Sequence, residues 1–217
     1  MAQVQSPKLR DLQLRDLEDG DAAELAFSAQ ADRVILDGLD LSGLDLSGGR
    51  LSESILRGVT LSGADLTAAT VAESIWERVN APHLKAPRST WRNVRIQDSR
   101  IGVGELYDAG ISGLVLRGCK VDLLNLRNTV ISDLLIENCT IGELDISGAR
   151  VHRMTIMQSS IGTFEAREAR LKDVDLRGAQ LSRIVGLAGL KGAVISQEQL
   201  VELAPSLAGH LGLVVED

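Results

Sequence analysis

Apolar residues recur at every fifth position along most of the chain. From Leu36 to Leu181, all thirty positions spaced by five are apolar. A second set lies two residues before each of them, from Val34 to Ala179, and none of its members is charged. An α-helix would repeat at about 3.6 residues and a flat strand at about 2, so neither explains a strict period of five. The pattern predicts a chain that turns once in every five residues, with two positions facing a dry interior and three facing water.

Glycine often follows the central apolar residue by two positions, as at Gly38, Gly58 and Gly118. A turn at that position needs a permissive backbone, which glycine provides. Two inward positions spaced by two fit a short extended segment, because alternate residues of an extended chain share a face. The sequence therefore predicts an all-β solenoid, in which successive coils stack through backbone hydrogen bonds.

Several segments resemble the A(D/N)Lxx pentapeptide repeat. The clearest read Ala-Asp-Leu-Thr-Ala at 64–68, Leu-Asp-Leu-Ser-Gly at 39–43 and Val-Asp-Leu-Arg-Gly at 174–178. On these residues the stretch 34–184 is similar to the pentapeptide-repeat protein family. The resemblance implies a right-handed quadrilateral parallel β-helix with four repeats per coil, hence about 7.5 coils here. It also implies that the Asp and Asn residues of the repeat hydrogen-bond the turn backbone.

Every fourth repeat should stack on the same side if each coil holds four of them. One inward column is uniformly small and another is mostly large, as a narrow, filled core requires. The small column contains Gly49, Ala69, Ser89, Ala109, Thr129, Ala149 and Ala169. Outward columns alternate in charge, as in Asp37, Arg57 and Glu77, which predicts surface ion-pair ladders. Cys119 and Cys139 share an inward column, and we expect a reduced, packed pair rather than a disulfide.

The overall composition narrows the class of protein. The chain has 217 residues, is 44% hydrophobic but only 2% aromatic, and carries a net charge of −7. The apolar content excludes a disordered chain, and two cysteines exclude a disulfide framework. No segment looks like a signal peptide or a transmembrane helix, so we expect a cytoplasmic protein with no membrane association. The low aromatic content fits a narrow core of Leu, Ile, Val and Ala.

The two ends lack the regular repeat and are predicted to cap the solenoid. Residues 1–33 are interpreted as an N-terminal cap or arm, with a short helix around residues 21–28. Residues 185–217 contain a last turn whose phase slips by one, followed by a C-terminal helix. Ser196 to Gln199 look like a capping box, and Pro205 is expected to break or kink the helix. An apolar stripe on this helix consists of Leu200, Leu203, Leu207 and Leu211. The stripe either covers the last coil or pairs with the helix of another subunit as a homodimer contact, and both can hold.

The segment 76–100 departs most from the repeat and carries a net charge of +4. It contains both tryptophans of the chain, and we expect their rings to compensate for the small central residues Ala81 and Ala86. Its band of Arg88, Arg92 and Arg95 is the candidate contact surface.

The sequence favours a non-enzymatic scaffold for protein–protein interaction, with an unidentified protein partner. We expect no catalytic residue, metal site or cofactor, because the three histidines are scattered and no phosphate-binding or zinc-protease motif occurs. The resemblance also implies an alternative, because some bacterial family members are dimeric rods that mimic DNA, bind type II topoisomerase and confer fluoroquinolone resistance. A near-neutral repeat region, with 20 acids and 19 bases over residues 31–185, counts against that alternative. Direct binding of nucleic acid is not expected from a chain that is acidic overall.

Overall fold

The computed structural model describes residues 4–215 and is a parallel β-solenoid of about nine turns with a helix at its C-terminal end. Its strands form one sheet that winds through the molecule. The strands are β1 (Glu18–Asp19), β2 (Gln30–Asp32), β3 (Val34–Asp37), β4 (Arg50–Ser52), β5 (Ile55–Arg57), β6 (Thr70–Glu77), β7 (Asn80–Lys85), β8 (Thr90–Gln97), β9 (Arg100–Glu105), β10 (Gly110–Arg117), β11 (Lys120–Asn125), β12 (Val130–Glu137), β13 (Thr140–Asp145), β14 (Arg150–Glu165), β15 (Arg170–Val185) and β16 (Ala193–Val194). The helices are α1 (Ala22–Ser28), α2 (Gln197–His210) and a 3₁₀ helix, Leu187–Leu190.

Successive coils pair in a register of four repeats. Ile111 lies opposite Ile131, which in turn lies opposite Val151, and all these pairs are parallel. Each coil therefore holds four five-residue units, as the sequence predicts. Within a long strand the chain turns at a residue with left-handed backbone geometry, such as Asn93 with φ of 51°. The inward positions therefore alternate between spacings of two and three.

The predicted core is confirmed. Of the thirty central positions, those from Leu36 to Leu176 are all buried, and Leu181 in the last coil is half-buried. The second inward set is buried from Gly49 to Phe164. The rings of Trp76 and Trp91 lie inside this core, with centroids 5.2 Å apart and planes inclined by 63°. This edge-to-face contact lies in the segment where the central residues shrink to alanine, so the two rings supply volume that the repeat lacks there.

The stacking extends beyond the stretch 34–184 at both ends. Strands β1 and β2 pair with β3 and β4, so the first coil begins within the N-terminal segment. At the other end β16 pairs with β15 one position short of the common register, because Val174 lies opposite Ala193. That shortening matches the predicted slip of one residue. These additions account for about nine turns where the repeat count alone gives about 7.5.

The N-terminal segment has two parts. Residues 4–17 contain no helix or strand, and the chain bends at Asp16, whose φ is 55°. Helix α1 follows, and its N-cap Asp21 accepts a hydrogen bond of 3.0 Å from the amide of Ala23. This helix matches the one predicted around residues 21–28. Phe27 on α1 is 96% exposed and makes no contribution to the core.

Candidate interaction surfaces

The three arginines of the predicted basic band lie on different parts of the coil. Arg88 is an exposed turn residue with φ of 56°, and Arg92 is exposed on the first half of β8. Arg95 lies beyond the turn at Asn93, is half-buried, and approaches Asp11 at 3.6 Å. The structure thus brings Arg88 and Arg92 to solvent, whereas Arg95 is engaged by the N-terminal segment.

Helix α2 covers the last coil and is joined to it by the side chain of Gln199. The sequence pattern predicted Gln199 only as part of a capping box. Gln199 accepts a hydrogen bond from the amide of Ser196, and the Ser196 hydroxyl accepts one from the amide of Gln199, which confirms the box. The side-chain amide of Gln199 also donates to the carbonyls of Leu176 and Ala179, each at 2.7 Å. These bonds satisfy carbonyl groups of the final coil that no further coil covers.

The predicted apolar stripe of α2 divides between two environments. Leu203 is buried and Leu207 is half-buried, whereas Leu200 and Leu211 are 43% and 71% exposed. The helix also continues through Pro205, so the prediction of a break is wrong. Pro205 cannot donate to the carbonyl of Val201, but both residues are exposed, and water can replace the lost partner. The exposed apolar surface at this end consists of Leu200, Val201, Leu211, Leu213, Val214 and Val215.

One outward column is mostly apolar, contrary to the expectation that three residues in five face water. Its members pair in register across successive coils and are Ile35, Ile55, Ile75, Arg95, Val115 and Leu135. Val115 is only 7% exposed, and the other apolar members are half-buried. The sequence does carry the signal, because from residue 35 to residue 135 every fourth repeat on that phase supplies Ile, Val or Leu, except at Arg95. It is hidden when all outward positions are read together.

The segment 4–17, here called the arm, lies against this column at Arg95 and Val115. Every apolar residue of the arm is half-buried and every polar one is exposed; the apolar residues are Val4, Pro7, Leu9, Leu12, Leu14 and Leu17. Leu9 and Leu12 share with Gly113 and Val115 the lining of a gap of only about 10 Å³. Gly113 has φ of 81°, and a side chain there would meet the Asn93 amide oxygen at 2.7 Å. Glycine at this turn therefore leaves room for the Asn93 side chain beside the arm.

Carboxylates beside the apolar column hold the arm. The amide of Lys8 donates to Asp133 at 2.7 Å, and the amide of Gln5 donates to Asp173 at 3.2 Å. Farther along, the Arg10 guanidinium contacts Glu73 at 3.3 Å. These acceptors belong to one column of turn residues, named here the turn column: Glu53, Glu73, Asn93, Gly113, Asp133, Arg153 and Asp173.

Asp133 is the best-connected carboxylate of the turn column. Its two oxygens receive a fork of hydrogen bonds from the Arg153 guanidinium, and its side chain is only 10% exposed. The Arg153 bonds hold the pKa of Asp133 below its ordinary value in spite of burial, and the Lys8 amide adds to this effect. Asp173, one coil farther, keeps a buried Oδ2 without a hydrogen-bond partner among residues 4–215, although His152 Nε2 approaches it at 3.4 Å.

The outward charge ladders are present as predicted. Arg57 contacts Asp37 at 3.5 Å and Glu77 at 3.1 Å, and Arg117 pairs with Glu137. The Asp residues of the repeat also bond the turn backbone, as in Asp65, which accepts from the amide of Thr67 at 2.9 Å. Burial opposes ionisation of Asp65, but hydrogen bonds from Lys85 and Thr67 prevail and lower the pKa of Asp65 to about 2.

Cys119 and Cys139 are neighbours in the core, as their spacing predicts. Both are buried free thiols, and the amide of Cys119 donates to the sulfur of Cys139 at 3.4 Å. Hydrogen bonding to Cys139 and burial raise the pKa of the Cys119 thiol. Among residues 4–215, His, Cys, Asp and Glu side chains nowhere gather in the threes that a metal ion would need. No helix in the described range is both long and apolar enough to cross a bilayer.

Comparison with known proteins confirms the resemblance to pentapeptide-repeat proteins. Residues 35–70 match the family model for pentapeptide repeats, in eight copies. No curated protein matches the sequence. Among solved structures, full-length QnrB1, a plasmid-mediated fluoroquinolone resistance protein, is 13% identical, with 82% of this chain and 99% of QnrB1 covered at a TM-score of 0.35. HetL from the cyanobacterium Nostoc sp. strain PCC 7120, which is involved in heterocyst differentiation regulation, is 14% identical, with 80% and 94% covered at a TM-score of 0.30. Similarity at this level does not transfer a function.

Proposed function

We propose that this pentapeptide-repeat chain is a non-enzymatic scaffold that binds other proteins through its outer surface. The observation that carries the proposal is the set of outward columns, in which the side chains of successive coils stand in register on one continuous sheet. Such columns present fixed rows of charged, polar and apolar groups. Because these rows are already fixed, the scaffold loses little conformational entropy when a matching partner binds.

The rod is built to keep these columns in place. The central positions of successive coils are buried from Leu36 to Leu176, and backbone hydrogen bonds continue through the turns, as from Gly38 to Arg57 at 2.8 Å. Each coil is therefore held by those on both sides, and its surface does not depend on long loops. We place this activity in the cytoplasm, where the buried free thiols Cys119 and Cys139 would stay reduced.

Affinity capture with the intact chain from the native lysate, followed by chemical cross-linking, tests the proposed scaffold. Two variant baits locate the contact. Arg88→Glu with Arg92→Glu reverses the charge of the candidate contact surface. Arg150→Glu with Arg170→Glu makes the same charge change on exposed arginines elsewhere. A partner that is cross-linked to the native bait and lost only with the first pair identifies the surface. Absence of any partner cross-linked to the native bait contradicts the scaffold function.

The DNA-mimic alternative predicts inhibition of gyrase supercoiling. Its electrostatic requirement is a dense negative surface, whereas acids here pair with bases along the columns, as in Asp37, Arg57 and Glu77. Supercoiling by gyrase that stays unchanged at micromolar protein rejects the alternative. Inhibition that competes with DNA supports it over a general scaffold.

We also propose that the exposed apolar end at α2 pairs with a second copy of the chain. Leu211, Leu213 and Val214 are 61–83% exposed beside a helix whose inner side already covers the last coil. Light scattering on the intact chain should give the mass of a dimer. Leu211→Ser with Leu213→Ser should reduce it to a monomer, whereas Leu203→Ala should destabilise the cap and leave the mass unchanged. A monomeric native chain refutes the dimer.

A further inference from the structure

The surface beneath the arm is a groove, and the arm occupies it. The floor of this arm groove is the mostly apolar column, which the arm approaches at Arg95 and Val115. The neighbouring members of the column are Ile55, Ile75 and Leu135. One wall is the turn column, whose carboxylates Glu73, Asp133 and Asp173 contact the arm. Cover by the arm shields part of this apolar row from water.

The dimensions of the arm match those of the groove. Gln5 lies at the coil of Asp173, and Gln13 and Leu14 lie beside Glu53, six coils away. At about 4.8 Å per coil this distance is about 29 Å, and nine steps of extended chain at about 3.3 Å span about 30 Å. The leucine spacing also fits, because the three residues from Leu9 to Leu12 cover about two coils. A nearly straight, extended segment is thus what the groove accepts.

Much of the recognition is directed at the main chain of the arm. The contacts at Asp133 and Asp173 are made by backbone amides of Lys8 and Gln5, which almost any residue type could supply. The remaining selectivity comes from leucines on the floor and from a cation at Glu73, where Arg10 lies. The groove therefore specifies a class of ligand rather than the one sequence of the arm.

We propose that the arm groove is a docking site for an extended, leucine-bearing segment of a partner protein, and that the arm occupies it in cis as a competing ligand. The proposal rests on the scaffold function and names one of its surfaces. The arm is exchangeable, because its leucines are only half-buried and its charged contacts are exposed, with Arg10 at 71% and Asp11 at 80%. Contacts of that kind are individually weak.

A partner segment fits better than the arm of a second copy. An arm tethered to its own groove has an effective concentration of about a millimolar, so an identical arm in trans gains no advantage. A partner segment can gain an advantage over the arm at Asp173, because the buried Oδ2 of Asp173 accepts no hydrogen bond from the described part of the chain. The favoured ligand thus has leucines spaced as in the arm and a basic residue where Gln5 lies.

The test uses the intact chain in an unlatched form, with Leu9→Asn, Leu12→Asn and Leu14→Asn. These substitutions remove the apolar contacts of the arm and leave the groove unchanged. The probe is a fluorescent synthetic peptide with the sequence of residues 4–17, and the readout is fluorescence anisotropy. We expect the unlatched chain to bind the probe at least tenfold more tightly than the native chain, since its own arm no longer competes. A probe peptide with Gln5→Arg should bind a further several-fold more tightly.

Matched variants locate the binding. Val115→Asp in the unlatched chain should abolish binding, because it places a carboxylate at a position that is only 7% exposed and lies beside Leu9 and Leu12. Val130→Asp makes the same change at an exposed valine of another column and should have no effect. Circular dichroism confirms that each variant is folded. If the unlatched chain does not fold, excess Gln5→Arg peptide on the native chain should instead accelerate hydrogen exchange at the amide of Lys8.

Three results overturn the proposal. One is a folded, unlatched chain that does not bind the probe, and another is binding that Val115→Asp leaves intact. The third is a native dimer that the three arm substitutions convert to a monomer, because the occupant is then a second copy. Failure of the peptide test while cross-linked partners are still captured would reject the groove and leave the scaffold function standing.

Discussion

Replacing Leu126 by alanine tests whether each coil is held in place by its neighbours on both sides. Leu126 is fully buried in the middle of the rod, with Leu106 one coil before and Ile146 one coil after, both also buried. Loss of the transferred apolar atoms costs about 2 kcal/mol. The two flanking coils are fixed by in-register backbone bonds, such as that from Leu126 to Asp145 at 2.7 Å, so the cavity cannot collapse and adds about 1–2 kcal/mol.

The matched control is Leu181→Ala, the same substitution at the same phase of the repeat. Leu181 is half-buried and pairs with Ile161 on one side, and β16 does not extend to it on the other. We therefore expect a loss of about 3–4 kcal/mol for Leu126→Ala and about 1 kcal/mol for Leu181→Ala. Urea unfolding followed by circular dichroism measures both, provided that the dependence on urea concentration stays the same. Equal losses in the two variants would refute the idea of a core whose strength depends on stacking from both sides.

Three further predictions concern charged and thiol groups. Because the folded-state pKa of Asp65 is lowered to about 2, its stabilising contribution is present above its unfolded pKa of about 3.9 and is lost as the pH falls from about 4 to 2. The unfolding temperature should fall over that range, and less steeply in Asp65→Asn. Asp133→Asn should lower the unfolding temperature at pH 7 by more than Glu137→Gln does, since Asp133 holds both a shielded guanidinium and the arm; a smaller drop contradicts this role. Cys119 and Cys139 should react with iodoacetamide only after denaturation, as mass spectrometry would show, and labelling of the native chain would contradict their burial.

The repeat and the core could be predicted from local sequence because each five-residue unit meets the same constraint. A residue at the central position always points into the interior, so it must be apolar whichever coil it belongs to. The stacking of every fourth repeat also follows from sequence, since small residues from Gly49 to Ala169 recur in one column. These features depend on positions a few residues apart or a fixed number of repeats apart, and a periodicity records them directly.

The position of the arm on the rod could not be predicted from local sequence. Its contacts join Lys8 to Asp133 and Gln5 to Asp173, which are 125 and 168 residues apart in the chain. No short-range pattern connects those residues, and the carboxylates involved look like ordinary surface charges. The apolar column beneath the arm is visible only when one outward column is read coil by coil. Even then, it predicts that something covers the surface without identifying the arm.

The same division applies at the C-terminal end. The capping box from Ser196 to Gln199 is a local signal and predicts where α2 begins. Whether its apolar stripe faces the rod or another molecule depends on how the helix lies against the last coil, and Gln199 fixes that through the carbonyls of Leu176 and Ala179. The coil, its period and its core follow from local sequence, because burial at each repeat is a local requirement. Long-range packing sets which outward surfaces are covered and which stay open, because that depends on where the two ends of the chain lie.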